Sequence, residues 1–299
     1  MESASATRTS SITPCAQKDR ISKRLSATLR FRNSGVSHFF KEAGLFKAAM
    51  PHRRKARKRE MVSHPNITEA KELITELSKR CVAGMPNKEY SNLSKLPYKV
   101  MTFVNAMNWR MKECAEAAVL LFESDLTHPA LMLVRSAMEN AAITITLADV
   151  VYEVVDRKKV LKEDDDRLMR ILFGNNYPKD DPFTEPYDDR LKAERIGKHV
   201  RRADDLYPRF REYYSNLCEY VHPNYDGVSQ SFSLLRFEED KTDFGPMLNK
   251  THALYDAFTI TLVLALHIYL EQLDSIDDNI QNFIHLCDMD IVKQVMDSI

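Results

Sequence analysis

The stretch PALMLVRSAMENAAITITLADVV, residues 129–151, is apolar around nearly the whole circumference of a helix, yet it contains three charged residues. Arg135 and Glu139 lie one helical turn apart, and Asp149 is the third. A helix that is apolar on every face is normally buried, and a buried charge is costly unless it pairs and hydrogen-bonds. The stretch therefore predicts a central core helix, and Arg135 and Glu139 are the first candidates for a functional site.

Helical periodicity continues on both sides of this stretch. From residue 61 onward, apolar residues recur at steps of three and four, and prolines separate the periodic segments. We predict an all-α fold, an antiparallel helical bundle forming a single domain at residues 63–299, with Thr127 capping the central helix. The predicted helices are 67–80, 98–124, 129–151, 157–173, 188–202, 208–221, 247–273 and 276–295, and 228–237 is a candidate extended segment or short strand.

Residues 1–62 have a different composition from the rest of the chain. Residues 1–60 hold 15 Lys and Arg against 4 Asp and Glu, while residues 61–299 hold 28 against 39. The net charges of +11 and −11 cancel over the chain. Low hydrophobicity with high net charge predicts a basic, disordered segment. It is interpreted as a nucleic-acid-binding arm, as a targeting peptide, or as sequence upstream of a true start at Met61.

The composition also argues against several classes of protein. Only seven glycines occur, and none form a phosphate-binding loop, so a cofactor held by such a loop is not expected. Five scattered cysteines without a CxxC spacing favour a reducing, cytoplasmic location. The longest apolar run, residues 258–270, has 13 residues, whereas a membrane span needs about 20. We therefore expect a soluble protein that does not contact a membrane.

A second group of candidate residues lies at 214–222. Tyr214, Cys218 and His222 are spaced by four residues and share one face of the predicted helix. A histidine near a carboxylate at a helix end has its pKa moved about neutral pH, as acid–base catalysis requires. The alternative is a structural histidine that caps carbonyls. Tyr214 and His222 join Arg135 and Glu139 as the predicted polar cluster, in or at the edge of the core.

Metal binding is not expected, although two short patterns raise the question. Glu219 and His222 form one ExxH motif, but a carboxylate-bridged di-metal centre needs two such motifs and two further glutamates. His285, Cys287, Asp288 and Asp290 form a loose cluster that solvent exposure explains equally well.

Two motifs resemble those of a known family. Arg135-Ser136-x-x-Glu139, followed by Tyr214-x-x-Leu217-Cys218-x-x-x-His222-Pro223, resembles an uncharacterised, mainly prokaryotic all-helical family with RSxxE and YxxLSxxxHP motifs, similar to the HEPN class. The likeness covers about residues 65–275, with Cys218 where the family usually has serine. Many HEPN-like proteins are metal-independent, RNA-cleaving toxins or defence factors that use an Arg and a His five to seven residues apart on one helix.

This chain lacks that Arg–His spacing, because Ser215, Asn216 and Leu217 occupy the corresponding positions. The first functional hypothesis is therefore a composite ribonuclease site, in which His222 is the acid–base group, Arg135 stabilises phosphate charge and Glu139 orients one of them. RNA is then the expected partner, in stress or phage defence. The alternative is a non-enzymatic helical interaction module that binds a partner protein or a second copy, with a structural polar cluster.

Overall fold

The structure, a computed structural model, describes residues 64–86, 90, 92–174, 192–245 and 252–298. The basic segment 1–62, the stretch 175–191 and residues 247–251 of a predicted helix lie outside the described residues. Residues Val62–Ile299 form one unit by the contacts between their Cα atoms. The predicted domain boundary at residue 63 stays a prediction.

The described residues are mostly helical, which confirms the all-α prediction. Short irregular elements join the last two helices. In chain order the elements are α1 (Pro65–Ser78), α2 (Leu96–Glu123), α3 (Thr127–Arg157), α4 (Lys162–Phe173), α5 (Ile196–Leu206), α6 (Phe210–Val221), a π-helical turn (Tyr225–Gln230), β1 (Ser233–Arg236), a 3₁₀ turn (Phe237–Glu239), β2 (Lys241–Phe244) and α7 (His252–Met296).

Helix α2 runs antiparallel to its neighbours. Tyr269 of α7 donates a hydrogen bond to Asn108 of α2 over 2.9 Å, while Phe122, farther along α2, packs edge to face on Tyr255 near the start of α7. Helix α3 packs against α2 and follows it after only residues 124–126, so these two helices also run in opposite directions. The predicted antiparallel bundle is therefore confirmed.

Helix α3 lies at the centre of the bundle. It packs against α2, α4, α5, α6 and α7. Leu131, Ala137 and Val150 point in different directions around the helix axis, and all three have no exposed surface. The apolar composition of residues 129–151 predicts burial around the helix, and the structure shows it except along one side, where Met132, Arg135 and Glu139 are partly exposed.

The ends of α3 differ from the prediction. Thr127 is the first helical residue rather than the cap, which is Leu126, and the Thr127 side chain makes no capping bond. The helix continues to Arg157, so the boundary predicted before residue 157 is wrong. Lys158 ends it with a φ of 55°, in the left-handed region. Helix α4 then starts at Lys162, because Asp164 accepts the Leu161 N–H over 2.8 Å and caps it.

Helices α5 and α7 also differ from the prediction. A helix was predicted at residues 188–202, but residues 192–195 are not helical, so the prediction is wrong for these four residues. Residues 188–191 lie outside the described part of the chain. The predicted break near residue 275 is wrong, since α7 is one continuous helix of 45 residues. No proline or glycine interrupts it, and Leu273, Ile276 and Ile280 extend one buried stripe across the expected break.

The candidate extended segment at residues 228–237 is only partly a strand. Its first residues belong to the π-helical turn, and Ser233–Arg236 form β1, which pairs antiparallel with β2. Leu235 lies opposite Thr242 in this two-stranded sheet. The imperfect alternation of apolar residues reflects this division between turn and strand.

Two helices are long and apolar enough to cross a membrane by length and composition. They are Thr127–Arg157 and the Leu254–Met296 part of α7. Most of each apolar window is nevertheless buried inside the bundle, 67% for α3 and 56% for α7. Core helices of soluble proteins pass the same test, so the expectation of no membrane contact stays a prediction.

The buried hydrogen bond between Tyr269 and Asn108 should stabilise the packing of α7 on α2. Tyr269→Phe removes the donor and leaves the Asn108 carbonyl oxygen in the core. We expect the free energy of unfolding to fall by about 1–3 kcal/mol, measured by urea denaturation. Tyr152→Phe is the matched control, because Tyr152 is 37% exposed. Equal losses in the two variants would contradict the role given to this hydrogen bond.

Candidate functional site

Three of the four predicted site residues form a polar cluster, the Tyr214 cluster, made of Arg135, Glu139 and Tyr214. The Tyr214 hydroxyl donates to Glu139 Oε1 over 2.7 Å and accepts from Arg135 Nη2 over 3.3 Å. Arg135 Nε lies 3.2 Å from Glu139 Oε1. The guanidinium carbon also lies 5.6 Å from the centre of the Tyr214 ring, within cation–π range. Each member therefore contacts the other two.

The helices place this cluster at the edge of the core. The four-residue spacing puts Arg135 and Glu139 on one face of α3, and α6 brings Tyr214 against that face. Tyr214 is 8% exposed, whereas the side chains of Arg135 and Glu139 are 27% and 25% exposed. The apolar sequence around the pair suggests deeper burial than this. Water reaches one side of the ion pair, so its desolvation penalty is smaller than in a fully buried pair.

The surroundings hold Tyr214 in its neutral form. Burial raises the pKa of the Tyr214 phenol, and the hydrogen bond to Glu139 raises it further, while the bond from Arg135 lowers it. Burial lowers the pKa of Arg135, but the hydrogen bond with Tyr214 and nearby Cys218 and Glu139 outweigh burial and raise it. At neutral pH the cluster therefore holds a phenol that donates a proton and a guanidinium that stays charged.

One donor of the cluster is not used. Arg135 Nε is buried and has no hydrogen-bond partner, although Glu139 Oε1 lies within ion-pair distance of it. A distance of 3.2 Å satisfies the charges, whereas a hydrogen bond also requires the N–H to point at the acceptor. Arg135 and Glu139 therefore form an ion pair at this contact, without a hydrogen bond between them.

His222 does not join the Tyr214 cluster by any hydrogen bond. It is the residue that ends α6, its backbone is extended, and its N–H donates to the Cys218 carbonyl over 2.9 Å. Its side chain is exposed and has no hydrogen bond, ion pair or ring contact within the part of the chain that the structure describes. The predicted facing of Arg135 and His222 is therefore not supported by a shared contact.

The chain turns sharply after His222. A Cβ on Gly227 would lie 2.0 Å from the His222 carbonyl oxygen, so only glycine allows the π-helical turn to fold this closely against the end of α6. Asn224 supports the turn by accepting the Gly227 N–H over 2.9 Å and by donating to Glu219 over 2.7 Å. The glutamate of the ExxH motif thus helps to hold the turn.

The RSxxE motif also has a second structural role. Ser136 and Asn140 follow Arg135 and Glu139 by one residue each, so they face α2 instead of α6. Arg110 of α2 donates to Asn140 Oδ1 over 3.0 Å and to Ser136 Oγ over 3.3 Å. These contacts were not predicted from the sequence. Ser136 and Asn140 have the same four-residue spacing as Arg135 and Glu139, shifted by one position, and this spacing could have identified a second polar face on the helix.

A second buried polar group, also not identified from the sequence, joins α3 to α5. His199 is 5% exposed, and its Nδ1 lies 2.9 Å from Thr146 Oγ1. The Thr146 hydroxyl also lies 3.2 Å from the Ala142 carbonyl oxygen. Thr146 donates to this carbonyl when neutral His199 carries its proton on Nδ1, and donates to Nδ1 in the other tautomer.

The charges around His199 favour its neutral form. Burial is the largest influence and lowers the pKa of His199; the Glu194 carboxylate opposes it, and the Lys198 and Arg167 cations add to it. One turn along α5, Arg202 forms a bidentate pair with Asp149 of α3, with distances of 2.6 and 2.9 Å. Asp149, the third charge of the central stretch, is thereby matched by a partner.

Helix α5 is attached to the core in a different way from the longer helices. Only His199, Val200 and Ala203 are buried, and two of its main contacts with α3 are a histidine–threonine bond and an arginine–aspartate pair. Tyr207, just after the helix, donates to Glu271 of α7 and accepts from Gln272. An element with little apolar burial and many polar contacts belongs to the less stable part of a fold. Its attachment therefore depends more on pH and on salt than that of α3 or α7 does.

No group of three or more His, Cys, Asp or Glu side chains is arranged to hold a metal ion among the described residues. In the loose cluster at residues 285–290, burial and the nearby Asp288 raise the pKa of Cys287 to about 12, so its thiol stays protonated. Asp288 accepts the N–H groups of Leu93 and Ser94. Both residues therefore have structural surroundings rather than those of metal ligands.

Comparison with known protein families, curated proteins and solved structures finds no match to this chain. The resemblance to the HEPN-like family with RSxxE and YxxLSxxxHP motifs therefore stays a prediction. The geometry of the described residues is the basis for any functional conclusion.

The Tyr214 hydroxyl should contribute measurably to the packing of α6 on α3. Tyr214→Phe removes the donor to Glu139 and the acceptor of Arg135, so we expect a loss of about 1–2 kcal/mol in the free energy of unfolding, moderated by partial exposure. Tyr213→Phe is the control, since no hydrogen bond of its hydroxyl occurs within the described residues. Urea denaturation of both variants distinguishes them, and equal stabilities would exclude a stabilising role for the cluster.

His199 should make stability depend on pH below neutrality. Because its folded pKa lies below the unfolded value of about 6.5, the unfolded state binds the proton first. The contribution of neutral His199 to the free energy of unfolding is therefore fully present above about pH 6.5. It is lost as the pH falls toward the folded pKa.

The check is thermal or urea unfolding between about pH 8 and pH 5, a range that spans the ordinary pKa of a histidine in water. His199→Gln keeps a neutral donor for Thr146, and we expect its stability to fall less across this range than that of the wild type. His267→Gln is the control, because His267 lies exposed beside Glu69. Parallel curves for wild type and His199→Gln would contradict the assignment.

Proposed function

We propose that this protein is a non-enzymatic helical interaction module whose Tyr214 cluster is structural. The observation that carries this proposal is the position of the Tyr214 hydroxyl, which is bonded to both Arg135 and Glu139. A group that is satisfied by its neighbours and kept neutral at physiological pH is suited to fixing the register of two helices. It is poorly suited to accepting a proton from a substrate.

The surroundings of His222 support the same conclusion. A catalytic histidine is usually oriented by a second group, most often a carboxylate or a carbonyl that bonds its other ring nitrogen. No such partner of His222 occurs within the described residues. Without an orienting group, no contact among the described residues holds the ring against a reacting hydroxyl.

An apolar surface supports binding to another protein. The π-helical turn and the hairpin formed by β1, the 3₁₀ turn and β2 expose five large apolar side chains, with Phe237 and Phe244 more than 80% exposed. Exposed aromatic side chains of this kind are enriched in protein interfaces. The set, called here the hairpin patch, comprises Tyr225, Val228, Leu235, Phe237 and Phe244.

A metal-independent ribonuclease of stress or phage defence is the second candidate function. It is favoured by one observation, namely that the charged Arg135 side chain is 27% exposed at the edge of the core. A guanidinium in that state could stabilise a phosphate, while exposed His222 would act on the 2′-hydroxyl of the same RNA. Glu139 would orient Arg135.

Incubation of the full chain with total RNA in EDTA tests both candidates. We expect no cleavage by the wild type, because no oriented acid–base group accompanies Arg135 among the described residues. His222→Ala and His285→Ala are matched variants, since both histidines are exposed, and circular dichroism confirms that they are folded. Cleavage that persists in His285→Ala but disappears in His222→Ala would overturn the interaction-module proposal and establish the ribonuclease.

A further inference from the structure

Four exposed cations lie in the first part of α5 and in the residues just before it. Lys192, Arg195, Lys198 and Arg201 are spaced by three residues, and all are exposed. Lys198 pairs with Glu194 over 2.6 Å, and Glu194 itself is only 10% exposed. The other three have no ion-pair partner within the part of the chain that the structure describes. These four residues are called the α5 stripe.

The stripe is a local exception to the charge of the domain. Residues 61–299 carry a net charge of −11, so most exposed charge on this part of the chain is negative. Neighbouring cations do not extend the stripe, because Arg202 is paired with Asp149 and Arg167 with Glu153. Asp205, one turn beyond Arg201, ends it. The result is a short positive strip with a defined end.

We infer that the α5 stripe binds a short acidic segment of a partner protein. This inference rests on the proposed interaction-module function and names the chemistry of one partner. Two of the four side chains are arginines, whose planar guanidinium groups can hold a carboxylate through two parallel hydrogen bonds. The three cations without internal partners among the described residues leave enough positive charge for several carboxylates.

The length of the stripe favours a peptide over a nucleic acid. Arg195 to Arg201 covers about 9 Å of helix at 1.5 Å per residue, and Lys192 lies at most about 10 Å earlier along the backbone. About five or six residues of an extended peptide cover that length. A nucleic acid carries a phosphate every ~3.4 Å of each strand and continues past both ends. Its further phosphates would approach an acidic surface closely enough to be repelled at physiological salt.

The inner face of α5 attaches the helical part of the stripe to the core. His199 and Arg202 are bonded to Thr146 and Asp149 of α3, and Val200 and Ala203 are buried beside them. Lys198 and Arg201 are therefore presented to solvent by a helix that packs on α3, while Lys192 and Arg195 lie just before that helix.

Site-specific labelling of the full chain tests the inference. The probe is a hexaglutamate peptide with one amine-reactive ester, and peptide mapping by mass spectrometry identifies the modified lysines. This readout separates the α5 stripe from the basic residues 1–60. We expect Lys192 and Lys198 to react faster than Lys158 and Lys159, which are also exposed.

Two double variants give the control. In Arg195→Gln with Arg201→Gln, we expect labelling of Lys192 and Lys198 to fall roughly fivefold or more, because two exposed charge contacts are lost. Lys158→Gln with Lys162→Gln removes two exposed cations elsewhere and should leave that labelling unchanged. Circular dichroism confirms that both variants are folded.

Three results would overturn the inference. Labelling of Lys192 and Lys198 that is no faster than that of Lys158 and Lys159 removes the site. Protection of these lysines by a short single-stranded RNA at lower concentration than unlabelled hexaglutamate assigns the stripe to nucleic acid, and the same result with phosphatidylserine vesicles assigns it to a lipid surface. A negative labelling result together with no RNA cleavage rejects this partner chemistry alone, whereas His222-dependent cleavage rejects the interaction-module proposal.

Discussion

Helix α3 is buried over most of its surface, and this burial governs how the other helices pack. A polar group without a partner in a buried helix costs the free energy of its lost hydration. Helix α3 carries polar groups on several faces, and several of them are bonded to neighbouring helices. Tyr214 of α6 bonds to Arg135 and Glu139, and Arg110 of α2 bonds to Asn140 and Ser136. Each polar group thereby specifies which helix packs on its face, a role that apolar contacts fill less selectively.

The two functional hypotheses lead to different expectations for the same side chains. Under the ribonuclease hypothesis, Arg135 and His222 need a common substrate between them. In the structure Arg135 is bonded to Tyr214, whereas His222 lies exposed at the end of α6, where the Gly227 turn folds against its carbonyl group. The cluster therefore resembles a helix-positioning network more than an active site. Two exposed surfaces lie elsewhere, the apolar hairpin patch and the cationic α5 stripe. We propose both as sites for partner proteins.

Local sequence was sufficient to predict the all-α class, the burial of the central stretch and the pairing of Arg135 with Glu139 across one turn. These features follow from periodicity and from the cost of burying charge, both of which can be read along the chain. Tyr214 entered the same group through its helical spacing and through a resemblance whose family stays untested. The continuity of α7 was not recognised, because Asp274 and Ser275 suggest a break until Arg80 is seen to pair with Asp274 and Asp277.

Which polar groups meet depends on the tertiary structure alone. Asp149 with Arg202, Thr146 with His199 and Ser136 with Arg110 join residues that are distant along the chain, and no local spacing identifies such partners. The position of His222 also could not be predicted from local spacing. Its four-residue spacing from Cys218 places it on the inner face of a continuing helix, but α6 ends there and the backbone becomes extended. Helical spacing predicts the direction of a side chain only as far as the helix lasts, and the packing of the whole chain sets that end.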